Sequence, residues 1–286
     1  MITIFTTAKP FKNLHAIIQK NAIHSWTLLE PKPEIILFGK DEGVREIANE
    51  FSLIHVEDVQ CNEYGTPIVS DLFARAESIS SHDLLCYINA DIVLLGSFIQ
   101  SASLAGKQTG PFLMIGQRWD TDVSEAIDFA EGWEEKILEK AKLTGKLHPP
   151  TGIDYFLYRK GAWTGGMPPF AIGRTAWDEW LVYRARFLGW PVVDATAAVT
   201  VIHQNHDYSH LPPSMPDAWK GPEAERNLEL AGGYDNLCTV EDATHYIVNG
   251  EIKRQIGWKL IHRRLKKFPI LHPQHRILSR IVRAIV

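Results

Sequence analysis

The sequence predicts an α/β fold: a Rossmann-like, mainly parallel sheet flanked by helices, followed by a basic helical C-terminal tail. Three observations carry this expectation. Short apolar runs alternate with segments of helical spacing over the first hundred residues. Polar residues collect just after the predicted strands. Charge is split unevenly, because residues 251–286 hold ten Lys/Arg against one acid, Glu251, a local +9 within a chain of net −4, which leaves −13 on the rest. Alternating strands and helices bury a parallel sheet on both faces, and a separate basic segment marks an electrostatic anchor.

The elements follow in order. Ile2 to Thr7 is a β-rich run, and Phe11, Leu14, Ile17 and Ile18 then recur at helical spacing. Glu34 to Phe38 is a strand closed by Gly39. Val44, Ile47, Ala48 and Phe51 form a helical stripe before the strand Leu53 to Val56. Thr66-Pro67 looks like a helix start with proline at the first helical position, and Ile68, Leu72, Phe73, Ala76 and Ile79 continue that helix toward Ser80. Leu84 to Ile88 is the next strand. Beyond it come a strand at 112–116, an amphipathic helix at 122–143, a strand at 154–158, a Gly/Pro/Trp-rich loop at 161–174, a helix at 176–188 and one strand over 192–202. Residues 1–250 are expected to form the catalytic domain and 251–286 the tail.

The chain of 286 residues is 45% apolar, long enough to bury a core without disulfides or a structural metal. Cys61, Cys86 and Cys238 form no C-x-x-C pair, which fits a reducing compartment. The N-terminus lacks a basic region followed by an apolar core, and no apolar run approaches spanning length. A cytoplasmic protein, peripheral on the inner face of a membrane, is therefore expected.

Ligands of open α/β sheets bind at the carboxyl ends of the strands. Three of those ends are polar here: Thr6-Thr7-Ala8-Lys9, Gly39-Lys40-Asp41 and Asn89-Ala90-Asp91. Asn89 and Asp91 interrupt an otherwise apolar stretch, where an uncompensated carboxylate costs several kcal/mol. A hard divalent cation holding a diphosphate would compensate it. A simple strand-ending turn is the competing reading. Further on, Asp178 is followed by Leu181, Arg184 and Gly189, then by a strand and His203-Gln204-Asn205-His206-Asp207-Tyr208-Ser209-His210.

Taken in this order and spacing, the chain resembles the GT-A glycosyltransferases over about residues 1–210. Asn89-Ala90-Asp91 is similar to their Asp-x-Asp metal motif with Asn in the first place. The resemblance implies a nucleotide-sugar donor, UDP-sugar favoured, and Mn²⁺ or Mg²⁺ on Asp91 and Asn89 with His203 or His206. It implies Asp178 as the base that takes the acceptor's proton, which argues for inversion at the sugar with retention left open; Asp154, opening the next strand, is a second catalytic candidate in contact with sugar or acceptor. Thr6, Thr7, Lys9, Asp41 and Arg75 fall where the superfamily holds base, ribose and phosphate. Two departures stand out: Asn89 replaces the first Asp, and Trp177 replaces the Glu that precedes the base.

Several of these residues also have plainer roles. Thr175-x-x-Asp178 suits a variant capping box, Asp41 suits a helix cap, and Asp71 with Arg75 suits an i,i+4 pair. The His-rich segment suits a hydrogen-bonded loop. Gln117, Arg118 and Asp120 are expected to touch the transferred sugar or acceptor, and Trp163 to stack on a sugar, whereas Trp180 belongs to the core. In the tail, Ile256, Trp258, Leu260, Ile261, Leu265 and Phe268 alternate with basic residues, which predicts contact with an anionic membrane surface; docking on the acidic body is the alternative. Nucleic acid is not expected, for no recognition motif accompanies the charge. The expected activity is sugar transfer to a glycan or lipid-linked acceptor. Competing readings are a sugar-nucleotide-forming nucleotidyltransferase, disfavoured because no glycine follows the first strand, and a catalytically degenerate membrane-associated binding protein.

Overall fold

The computed structural model describes residues 1–206 and 219–285. The first seven elements follow the predicted alternation: β1 (Ile2–Thr7), α1 (Asn13–Thr27), β2 (Glu34–Phe38), α2 (Val44–Glu50), β3 (Ile54–Val56), α3 (Val69–Ile79) and β4 (Leu84–Ile88). Then come β5 (Ile92–Val93), α4 (Ser97–Ala105), β6 (Leu113–Ile115), β7 (Trp119–Thr121), α5 (Trp133–Thr144), β8 (Lys146–Leu147) and β9 (Tyr155–Arg159). The chain continues through α6 (Trp177–Phe187), β10 (Val192–Asp194), β11 (Ile202–Gln204), α7 (Pro222–Ala231), β12 (His245–Val248), β13 (Glu251–Arg254), α8 (Trp258–Leu271) and α9 (Arg276–Ile285).

The main sheet has the order β13-β12-β10-β6-β9-β4-β1-β2-β3. It is mostly parallel, with β9 antiparallel to β4 and β6, and β13 antiparallel to β12. Alternation along β1 sends Ile4 to one face and Phe5 to the other, and each face carries its own buried cluster. Phe5 meets Phe73 edge-on at 5.0 Å, and Phe73 stacks on Tyr158 at 5.4 Å. Complete burial of such a ring contributes roughly 2–3 kcal/mol. A second sheet, β5-β11-β7-β8, packs on α5 through Val93, Ile137, Ala141 and Ile202.

Four expectations are corrected. The helix α3 begins at Val69 rather than Thr66, because Asn62 Oδ1 accepts the Thr66 amide within a turn and Ile68 pairs as an extended residue with Ala171. Residues 122–132 are not helical: Asn21 grips this segment through the Glu125 carbonyl and the Ile127 amide. The single strand over 192–202 is two strands in different sheets, parted where Asp194 Oδ1 accepts the Thr196 amide and turns the chain. The basic segment begins not as free helix but as β13, hydrogen-bonded to β12.

Candidate active site

The small sheet brings distant residues together. In its register His203 of β11 stands beside Ile92 of β5 and beside Asp120 of β7, and Asp91 immediately precedes β5. Gln204 reinforces this join by donating its side-chain amide to the Asp91 carbonyl at 3.1 Å and to the Ile18 carbonyl at 2.7 Å. The Asp91 Oδ2 atom then lies 2.9 Å from His206 Nε2 and 3.8 Å from His203 Nε2. One ligand atom from each of the three residues falls within 4.8 Å of the others. His210 lies outside the described residues.

The remaining carboxylate oxygen of Asp91, Oδ1, is buried and has no hydrogen-bond partner among the described residues. A buried carboxylate oxygen left so costs several kcal/mol unless a cation satisfies it. One carboxylate with two imidazoles is a donor set that suits Mn²⁺ or a similar divalent ion. Burial alone would raise the Asp91 pKa; the His206 hydrogen bond and the charges of His203 and Lys9 instead hold it well below the usual carboxylate range. The site therefore keeps its anion over the physiological pH range.

Around this cluster runs a continuous polar network. Asn89 uses both ends of its carboxamide, accepting from the Tyr87 hydroxyl at 2.9 Å and donating to Asp154 Oδ1 at 2.6 Å. Both ends of the Asn89 carboxamide are thus engaged with the wall of the site. Asp154 is 4% exposed and receives Arg118 Nη1 on both oxygens, at 2.9 and 3.0 Å. Arg118 Nε donates to Asp120 Oδ1 at 2.9 Å. Asp120 also lies 2.6 Å from His148 Nδ1 and 3.3 Å from His203 Nδ1. Arg118, Asp120 and Gln117, which donates to the His148 carbonyl, were expected to touch sugar; they are engaged with protein groups. His148 was not singled out in the sequence, and Asp120, expected against sugar, instead stands between His148 and His203.

Asp178 stands apart from this network but near it. The charges of Asp91, Asp154 and Asp178 all act on the Tyr87 hydroxyl. No capping box forms at α6: its N-cap is Ala176, in the left-handed region at φ 80°, with no side-chain cap bond. Such a conformation costs a non-glycine residue about 1–3 kcal/mol. Burial, then the charges of Glu179 and Asp154, push the Asp178 pKa up to about 7. In place of the expected Glu, Trp177 is 4% exposed and packs against Tyr87 and Phe156.

The other predicted residues divide. Lys9 is drawn into the site: burial lowers its pKa, the Asp91 charge opposes this and the Arg174 charge adds to it. Thr6 is fully buried and bonds to the Thr7 carbonyl, and Thr7 bonds across to Phe38, so both hydroxyls serve the strand ends. Asp41 caps nothing, since Gly43 is the N-cap of α2 and no side-chain cap forms; burial raises its pKa. Arg75 makes the i,i+4 pair with Asp71 at 2.7 Å. Trp163 is 7% exposed, lies against Tyr158 and Trp190, and lines a cavity of about 900 Å³ at the end of β9 remote from Asp154. The expectation that it stacks on the transferred sugar is therefore corrected. Trp180, 6% exposed, is core as expected.

No family model matches the sequence, and no curated protein matches it either. Solved structures do resemble it in three dimensions. GalNAc-T7, determined with UDP, GalNAc and Mn²⁺, aligns over 81% of this chain with a TM-score of 0.51 and 14% identity. The match spans about half of that longer chain, 48%. TarS 1–349 of S. aureus, determined with UDP-GlcNAc, aligns over 96% of this chain and 73% of its own, with a TM-score of 0.55 and 9% identity. At such identities the likeness speaks to architecture, and the architecture is clear: this chain has the GT-A fold.

Proposed function

We propose that the chain is a metal-dependent glycosyltransferase that moves a sugar from a nucleotide-diphosphate donor, UDP-sugar favoured, to a glycan or lipid-linked acceptor with inversion. The observation that carries this reading is the buried Oδ1 of Asp91, without a hydrogen-bond partner among the described residues, beside His203 and His206 at the strand ends of a GT-A sheet. A divalent cation bound there would neutralise the diphosphate as it leaves. Arg174 lies close enough for its charge to act on Lys9, and the two supply further positive potential for the same phosphates. Arg174 is held in place by Glu223, 2.7 Å away.

Asp178 is the base in this reading. With its pKa near 7, it is half ionised at neutral pH and can accept the acceptor hydroxyl's proton as that oxygen attacks the anomeric carbon and the bond to the diphosphate breaks. Asp154 holds Arg118 and Asn89, and so orients the wall between base and cation. The nucleotide lies toward Thr7, Asp41 and Arg75.

Among the described residues no helix is long and apolar enough to cross a membrane. Peripheral contact through 251–286 stays part of the proposal, on the inner face of a membrane, with 1–250 as the catalytic body. Its α8 is fastened to that body, because Arg263 pairs with Asp242 and Glu241 and Lys267 donates to the Leu237 carbonyl. The membrane-facing element is then α9, which exposes Ile277, Leu278 and Ile281 beside Arg280.

The test is donor hydrolysis by the purified chain with Mn²⁺ and a panel of UDP- and GDP-sugars. Hydrolysis is expected, and both a chelator and Asp91→Ala should reduce it to background. Failure of every nucleotide sugar to bind at millimolar concentration with Mn²⁺ would overturn the reading.

A further inference from the structure

The opposite end of the sheet holds a second concentration of charge. A cavity of about 490 Å³ is lined by Arg186, Trp190, His245, Arg254 and Arg264, among others. Its position follows from the topology. Trp190 leads into β10, His245 opens β12, and Arg254 is its register partner on β13. Asp194, by contrast, ends β10 at the catalytic side. The third arginine, Arg264, arrives from α8.

These arginines lack ion-pair partners of their own: among the described residues, none of Arg186, Arg254 and Arg264 forms an ion pair, although Arg263, adjacent in sequence to Arg264, takes Asp242 and Glu241. Arg186 donates to the Asp242 carbonyl and Arg264 to the Gln255 carbonyl, which fixes two guanidinium groups without cancelling their charge. Burial, then the charges of Arg186 and Arg254, lower the Arg264 pKa; burial, then Arg254 and Arg264, lower that of His245. Like charges gathered around one cavity repel, and three guanidinium forks offer more donors than one carboxylate can accept. A tetrahedral phosphate oxyanion satisfies both conditions.

We propose that Arg186, His245, Arg254 and Arg264 form a second anion site that binds a phosphate-bearing group, at the end of the sheet opposite the catalytic cluster. The group is either the headgroup of an anionic lipid or a soluble phosphate compound. Trp190 and Pro191 supply an apolar wall beside it, and Ile256, 83% exposed, follows on the same segment of chain.

The experiment titrates the full chain with inorganic phosphate in the presence of a chelator, which keeps a divalent cation from the catalytic cluster. Binding is expected, weakened about tenfold or more in the pair variant Arg254→Gln/Arg264→Gln and unchanged in Asp91→Ala. The charge-keeping pair Arg254→Lys/Arg264→Lys should retain most of it, which separates lost charge from lost structure. A second arm measures sedimentation with phosphatidylcholine vesicles, with or without phosphatidic acid. Loss of phosphatidic acid-dependent sedimentation in the glutamine pair assigns the site to a lipid headgroup; loss of phosphate binding alone assigns it to a soluble ligand. Equal phosphate binding and equal sedimentation by wild type and glutamine pair would overturn the proposal. Donor hydrolysis should be untouched by the pair variant, so the fate of this site and that of the transferase reading are read separately.

Discussion

The two ends of the sheet solve opposite electrostatic problems. At the carboxyl ends of β4 and β6, three half-buried or buried carboxylates, Asp91, Asp120 and Asp154, are each met by a cationic or imidazole partner from another element. At the far end, Arg186, Arg254 and Arg264 converge with no ion pair of their own among the described residues, Asp242 being taken by Arg263. The first end is organised before anything binds, and among the described residues Asp91 Oδ1 is left there as an unsatisfied carboxylate oxygen. The second end is left in excess, so it gains by binding an anion. Preorganisation serves chemistry, because donors already in place need not reorganise during the reaction. Uncompensated charge serves capture.

The contrast can be broken most sharply at Asp178. Asp178→Asn removes the proposed base and should lower kcat by about 10²–10⁴-fold while leaving donor affinity in place, measured by steady-state kinetics beside nucleotide titration. In the parent chain the base works only when ionised, so kcat/KM should rise with pH through about 7 and level off above it; the variant should lose that limb. A base-independent reaction would leave the profile unaltered.

Next in size is Asp120, which stands behind His203 at 3.3 Å. Carboxylates in this position fix the orientation of a metal-binding imidazole. Asp120→Asn should weaken Mn²⁺ binding about 10–100-fold by calorimetry, without touching the far cavity. Equal metal affinity in the variant would show that the network is architectural only.

The smallest effect is also the most telling about sign. Loss of a charge from a compensated network destabilises, whereas loss of one from a crowd of like charges does not. Arg254→Gln should leave unfolding free energy unchanged or raised, within about 0.5 kcal/mol, in denaturant titrations at low salt. A clear loss of stability would mean that Arg254 is paired and the excess charge is illusory.

How much of this was legible beforehand depended on range. The strands β1 to β4 were visible because each is a short apolar run bounded by Gly, Pro or polar residues, and the resemblance placed Asp91, Asp178, His203 and His206 in one order. What escaped was non-local. The strands β5 and β11 span two and three residues, too few for a period-two pattern, yet they alone set His203 beside Asp91. Residues 122–132 carry helical spacing, but Asn21, over a hundred positions away, holds them open. Trp163 looked like an exposed stacking ring because its loop is rich in Gly and Pro, and only the packing of Tyr158 and Trp190 shows otherwise. Asp178 lost its capping alternative for a local reason, the left-handed Ala176, which no composition rule announces.

The pairing of β13 with β12 bears on where this chain can be cut. The shift in charge invites a truncation after residue 250, yet that cut would strip the outermost strand from the sheet and leave the His245–Val248 backbone with a row of open amides and carbonyls. Bare strand rims of this kind template self-association. A trimmed protein that stays monomeric would have to retain Glu251–Arg254 and end in the turn beyond, keeping its hairpin as a selvedge while giving up the helices.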